Sequence, residues 1–188
     1  MSSSCFCRAV VLSAFALAVG GGVSLASGGA NPKRPLRIRV PDAAGMAVKR
    51  AVLAARQRLG TSGCRQVLAD FRVERPVRPL TAVLDERGRT AGRGALDTLV
   101  FQDGGRRAPC GSPAILAFTH PGSDTIYVCA RQFKSAVRND PAYAEMILIH
   151  ELLHTLGLGE NPPTSLEITA RVTERCGDAS TRRAAGPR

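Results

Sequence analysis

The chain has 188 residues, which suits one domain with a hydrophobic core. It carries 26 Lys and Arg residues against 15 Asp and Glu residues, a formal net charge of +11, so its surface should attract polyanions. The basic residues are spread along the chain and aromatic residues make up only 4% of it, which favours an ordinary soluble, arginine-rich surface over a nucleic-acid-binding one.

The N-terminal segment has the pattern of a signal peptide. Arg8 precedes a short apolar run, and Ser24-Leu25-Ala26 fits a signal-peptidase site. The run is short and flanked by glycines, which disfavours a membrane span. We predict a signal peptide over 1–26 and one mature domain over 27–188, in a secreted or periplasmic location. An uncleaved N-terminal anchor is the alternative. We expect no stable membrane span after cleavage, no nucleic-acid partner, and an anionic cell-envelope polymer as a candidate partner.

The mature chain keeps four cysteines, an even number that indicates two disulfides in an exported domain. They are Cys64, Cys110, Cys129 and Cys176. Three pairings are open from the residues alone. A structural zinc site is the weaker alternative, because no two of these cysteines have CxxC spacing.

The first half of the mature chain predicts a strand, a long helix and short elements. The alternation of apolar and basic residues in 35–40 favours a strand with one buried face. Helical spacing of apolar residues then runs from Asp42 to a terminator at Gly60. Residues 64–71 fit either a helical turn or a strand, and 80–88 fit a short helix.

The middle of the chain predicts strands. A strand ends in a turn within 96–105, and residues 113–120 and 125–129 fit two strands joined by the turn-forming sequence PGSD.

Two helices complete the chain. Asp140 is a suitable N-cap for a helix that Gly157 can close, and Thr164 with Glu167 three residues later forms a capping box for the last helix. The order of elements predicts an α+β fold with a small mixed sheet, a long N-terminal helix and a buried helix that begins after Asp140.

The sequence HELLHTLGLGE, residues 150–160, predicts a metal site on that helix. Residues four apart lie on nearly one face of a helix, so His150 and His154 can point both imidazoles at one Zn²⁺. Glu151 lies beside His150, where its carboxylate could take a proton from a zinc-bound water. The alternative is a helix without a metal, in which other groups of the protein satisfy the polar side chains. Two histidines and a glutamate in so apolar a helix need such partners.

The pattern HExxHxxGxxE resembles the zincin metallopeptidases, in particular a metzincin-like variant found in small exported bacterial proteins of metallopeptidase type. The resemblance implies a zincin-like fold, a chain turn at Gly157 and Glu160 as third zinc ligand. Glu167, Glu174, His120 and water are the alternatives for that position. No methionine follows the motif, so the methionine turn of the metzincins has no counterpart here.

The same resemblance implies two further features. It favours the disulfides Cys110–Cys129 and Cys64–Cys176. It also implies an edge strand that binds the substrate backbone beside the active site, for which 125–129 is the candidate. An ordinary core strand is the alternative for that segment.

The sequence therefore predicts a secreted zinc peptidase that hydrolyses a protein or peptide substrate, with Glu151 as general base. Its residues leave the group that stabilises the transition state open between a backbone amide and an arginine such as Arg171. The alternative function is a non-catalytic exported module, stabilised by zinc, that binds an anionic envelope polymer through its basic surface.

Overall fold

The computed structural model describes residues 36–89 and 92–178. The predicted signal peptide therefore lies outside the described residues. The described strands are β1 (Arg37–Arg39), β2 (Arg72–Glu74), β3 (Val77–Pro79), β4 (Val100–Asp103), β5 (Ala117–Phe118) and β6 (Thr125–Val128). The described α-helices are α1 (Asp42–Leu59), α2 (Ser62–Arg65), α3 (Val67–Asp70), α4 (Leu80–Glu86), α5 (Ala130–Asn139), α6 (Pro141–Thr155) and α7 (Ser165–Cys176). Two 3₁₀ helices span Gly92–Leu96 and Ala108–Gly111.

The main sheet has four strands in the order β1-β4-β6-β5. The pairs β1/β4 and β4/β6 are parallel, and β5 pairs with β6 in the antiparallel direction. Strands β2 and β3 form a separate antiparallel hairpin. The sheet is thus mixed, and the predicted α+β class is confirmed.

The helices pack on one face of the main sheet. Ile38, Phe101 and Ile126 lie at corresponding positions of β1, β4 and β6 and point into the core. The apolar stripe of α1 meets them there, with Val48, Val52 and other residues at helical spacing fully buried. Helix α6 lies against α1, α5 and α7, so its residues are surrounded by core on most sides.

Three segments differ from the sequence prediction. Residues 130–139 form α5, whose buried Phe133 and Val137 have a four-residue spacing that indicates a helix. The hairpin of β2 and β3 occupies 72–79, a segment for which the sequence predicts no element. Strand β6 lies inside the sheet between β4 and β5, so it is a core strand, and the edge strand next to it is β5.

Two disulfides join distant parts of the domain. Cys64 of α2 is bonded to Cys176 at the end of α7, 112 residues later. Cys110 is bonded to Cys129, which immediately follows β6. These are the two pairs that the resemblance implied, and they are compatible with an extracytoplasmic location.

Across residues 36–89 and 92–178, every helix is too short or too polar to serve as a membrane span.

Candidate metal centre

Helix α6 begins and ends with well-defined caps. The Asp140 carboxylate accepts a hydrogen bond from the backbone N–H of Tyr143 at 3.0 Å, and Pro141 occupies the first turn. At the other end the N–H of Gly157 donates to the carbonyl of His154 at 2.8 Å, and the N–H of Leu158 donates to that of Leu153 at 3.2 Å. This pair of bonds is a Schellman motif, and the helix ends at Thr155, one residue after its second histidine.

The histidine and glutamate side chains of the motif converge on one point. The Nε2 atoms of His150 and His154 are 2.9 Å apart, and Oε1 of Glu160 lies 3.1 Å from Nε2 of His154 and 3.6 Å from Nε2 of His150. Ligands at ~2.0–2.1 Å from a tetrahedral zinc ion are separated from one another by about 3.3 Å. The three observed separations lie around that value, so this group could hold a metal ion.

The outer nitrogen of each ring is occupied by a partner. Nδ1 of His154 is 2.7 Å from the carbonyl oxygen of Leu158, which only accepts, so this nitrogen carries the proton. Nδ1 of His150 is 3.0 Å from Oγ1 of Thr169 on α7, which accepts from it in the same tautomer. In that tautomer both Nε2 atoms present lone pairs to the Glu160 carboxylate. Such an electron-rich centre is stabilised by a cation, so the donor set fits a metal ion.

Burial keeps the His150 imidazole neutral. Desolvation, together with the charge of His154, lowers the pKa of His150 to about 4, although Glu160 opposes this shift. A neutral imidazole is the form that binds a metal.

Glu151 lies in the cleft but outside the ligand group. Its side chain is only 6% exposed, and its Oε2 has no hydrogen-bond partner within the described part of the chain. Burial and the nearby Glu160 charge raise the pKa of Glu151 to about 8, while a hydrogen bond with the backbone of Thr119 lowers it. A buried carboxylate with a free oxygen needs a water, a proton or a substrate as its partner.

Gly157 is the residue that allows Glu160 to reach the histidines. Its φ of +100° lies in the left-handed region that side chains disfavour, and a Cβ there would lie 3.2 Å from Cγ1 of Val73. The chain therefore reverses at this glycine, as the resemblance implied, and brings Glu160 back over the end of α6.

The end of α6 is also held from outside. The Arg87 guanidinium donates to the carbonyl of Thr155 at 2.8 Å, and the N–H of Gly122 donates to the carbonyl of His154 at 2.8 Å. These contacts satisfy carbonyl groups in the last turn and fix the position of the second histidine.

A cleft of about 550 Å³ runs past the ligand group. Strand β5 and the residues before it form one wall, and Tyr143 and Ile147 of α6 line the cleft on the side of the helix N-terminus. Leu166 at the start of α7 is 82% exposed and also lines the cleft. None of the described residues that line it is Lys or Arg, and its acidic side chains are those of Glu151 and Glu160.

The alternative third ligands lie elsewhere. Glu167 is occupied by the capping box with Thr164, and Glu174 pairs with Arg171 at 3.0 Å. His120 is exposed and lies outside the one His and carboxylate group found within residues 36–89 and 92–178. Arg171 pairs with Asp70 and Glu174 and does not line the cleft.

Sequence reasoning missed the residues that orient the ligands. Thr169 and Leu158 contact the two rings, and nothing in their local sequence separates them from other helix and loop residues.

Comparisons with protein-family models, with curated proteins and with solved structures find no match to this chain.

Proposed function

We propose that the protein is an exported, zinc-dependent peptidase in which Glu151 is the general base. The observation that carries this proposal is the convergence of His150, His154 and Glu160 on one point beside a buried carboxylate with a free oxygen. The same helix supplies both histidines and Glu151, so the ligands and the base are held in one rigid frame.

The donor set favours zinc over other ions. Two imidazoles and one carboxylate match the ligands of catalytic zinc sites, which keep one position open. Mg²⁺ and Ca²⁺ prefer oxygen ligands, which two histidines do not supply. When bound, zinc supplies a Lewis acid that polarises a carbonyl group and makes water easier to deprotonate at neutral pH.

Glu151 has the position and the environment of a proton carrier. Its Oε2 can accept a proton from the attacking water and then deliver that proton to the nitrogen of the leaving amine, which balances hydrolysis of the C–N bond. Burial raises the pKa of Glu151 to about 8 before a metal is bound, so this carboxyl group can accept and release a proton near neutral pH.

The cleft fits an extended, largely apolar peptide. Strand β5 pairs with β6 on one side only within the described residues, so its other edge can pair with a substrate backbone. Tyr143, Ile147 and Leu166 offer apolar surface beside the ligand group. The absence of Lys and Arg from the described lining disfavours an acidic substrate in the cleft.

A secreted or periplasmic location is part of this proposal. The two disulfides support it because such bonds persist in oxidising compartments. The signal peptide predicted over 1–26 would provide the export route.

Metal content tests the first half of the proposal. Elemental analysis of the purified protein should find about one zinc per chain, and His154→Ala should lose it. The matched control is His120→Ala, which removes the one histidine outside the ligand group. A folded protein that takes up no zinc, or an equal loss of zinc in both variants, would sink the metal site.

Turnover tests the second half. Glu151→Gln should keep its zinc and lose cleavage of a peptide library by a factor of roughly 10² or more, since general base catalysis contributes about that much. Glu174→Gln, an exposed acid on α7 outside the cleft, should cleave like the parent protein. If no peptide is cleaved while zinc is bound, the protein is the non-catalytic module instead.

A further inference from the structure

The face of the main sheet that points away from the helices has an ordered row of side chains. Strand register places Arg39, Gln102, Tyr127 and Phe118 side by side across β1, β4, β6 and β5. Arg37 lies two residues before Arg39 and therefore on the same face. We call this surface the outer face.

The outer face is basic and has no acidic residue at its strand positions. The seven positions are Arg37, Arg39, Val100, Gln102, Thr125, Tyr127 and Phe118. A further guanidinium, from Arg107 in the loop after β4, lies 3.9 Å from the centre of the Tyr127 ring.

The cations of the outer face are available to a ligand. Arg39 is exposed and makes no hydrogen bond or ion pair with a described residue, and Arg37 uses one nitrogen to donate to the carbonyl of Thr98 at 2.7 Å. Arg107 is held flat by the Tyr127 ring, which fixes its position without neutralising its charge. Arg39 and the ring under Arg107 are two strands apart, about 10 Å at the usual strand spacing.

We propose that the outer face binds an anionic polysaccharide that carries carboxylate groups. Guanidinium groups match carboxylates in a bidentate geometry, and several of them across one sheet face suit a linear polymer with repeated charges. The partner is recognised by charge complementarity, since the face offers three cations and no competing acid.

The same surface fits other polyanions less well. Tyr127 stacks on Phe118 with ring centres 5.2 Å apart and is covered by Arg107 on its surface, so nucleic-acid bases find no free ring to stack on. The large, exposed apolar side chains of the described residues all lie off the outer face, so it has nothing to insert into a membrane.

This surface is separate from the metal centre. Its arginines do not line the cleft, and the row meets the cleft only at Phe118, in the edge strand. Polymer binding should therefore persist when the metal is removed, and a protein held on a polymer would keep its cleft open to a peptide.

Binding of polygalacturonate, compared with neutral dextran, tests the proposal by calorimetry on the full mature chain at about 0.15 M ionic strength, where distant charges are screened. The outer-face variant neutralises three arginines: Arg37→Gln, Arg39→Gln and Arg107→Gln. The control variant removes the same charge from exposed positions of α5: Arg131→Gln, Lys134→Gln and Arg138→Gln.

We expect polygalacturonate to bind and dextran not to bind. The outer-face variant should bind on the order of 100-fold more weakly, because each guanidinium that is removed should weaken binding by about fivefold. The α5 variant should change affinity by less than about threefold, as expected of distant screened charges. Addition of EDTA should leave the affinity unchanged.

Other outcomes overturn the proposal. These are equal losses of affinity in the two triple variants, no binding of polygalacturonate, or tighter binding of single-stranded DNA or of anionic vesicles. If the outer-face triple variant fails to fold, the single reversals Arg39→Glu and Arg131→Glu make the same comparison, and Arg39→Glu must show the larger loss.

Discussion

The hydroxyl of Thr169 should control how tightly the centre binds its metal. Thr169→Val keeps the shape of the side chain and removes the oxygen 3.0 Å from Nδ1 of His150. His150 is 4% exposed, so the freed N–H finds little water to replace its partner. Leaving a buried donor unpaired costs about 1–3 kcal/mol. The alternative tautomer would relieve that cost only by placing the proton on Nε2, where the metal must bind.

We therefore expect Thr169→Val to weaken zinc binding by about 10- to 100-fold, the usual effect of removing a partner of a ligating histidine. Competition with a chromophoric chelator at pH 7 measures this dissociation constant directly. Thr169→Ser restores the hydroxyl and should recover most of the affinity.

The matched control lies one turn further along α7. The Thr173 hydroxyl donates to the carbonyl of Thr169 at 2.9 Å and touches neither histidine. Thr173→Val should therefore lower the free energy of unfolding and leave zinc affinity within about twofold of the parent. If both valine variants bind zinc equally well, or lose it equally, Thr169 does not orient His150.

Gly157→Ala should lower the free energy of unfolding by about 1–2 kcal/mol and weaken zinc binding, since the left-handed turn no longer forms freely. Gly159→Ala is its control, because a Cβ at Gly159 meets no atom within 4 Å. Chemical denaturation measures the stability and chelator competition measures the zinc affinity, and equal effects of the two substitutions would contradict the role of the turn. Replacing Cys64 and Cys176 by serine should cost about 3–5 kcal/mol in urea denaturation under oxidising conditions, because the bond closes a loop of 112 residues; an unchanged midpoint would contradict this. Hydrogen bonds from the backbone and side chain of Thr164 lower the pKa of Glu167 in the folded protein. The ionised Glu167 therefore stabilises the fold above the pKa it has in the unfolded chain, and this stabilisation is lost as the pH falls through the lower folded pKa. Urea midpoints measured from pH 7 to pH 3 should therefore fall more steeply for the parent than for Glu167→Gln, and parallel curves would refute the linkage.

The long helices could be predicted from the sequence because their signals are local. The capping residue Asp140, the terminator Gly60 and the capping box at Thr164 each act within one turn of the helix they bound. Helix α5 has a similar local signal in the four-residue spacing of Phe133 and Val137. It is hard to recognise because it is short and lies directly between Cys129 and Asp140, the N-cap of the next helix.

Strand order could not be predicted in the same way. Pairing of β6 with both β4 and β5 depends on contacts between segments distant in the chain, which period-two alternation does not specify. The hairpin of β2 and β3 was missed because Arg75-Pro76 and the surrounding charges hide its short alternation.

The metal group follows from the sequence more completely than its surroundings do. His150 and His154 converge because helical spacing places them on one face, and Gly157 returns Glu160 to them through a local turn. The partners that orient the rings depend on packing of α7 against α6, so no local pattern indicates Thr169.

The position of the positive charge changes how the basic composition should be interpreted. A net charge of +11 suggests an anionic substrate when only the composition is known. The cleft is lined within the described residues by no Lys or Arg, whereas β1 places Arg37 and Arg39 together on the opposite surface of the sheet. The basic surface open to a polyanion is therefore the outer face, whereas the cleft offers it no cationic side chain among the described residues. In the two proposals, attachment to a polymer and selection of a peptide depend on different residues, so each can be altered without the other.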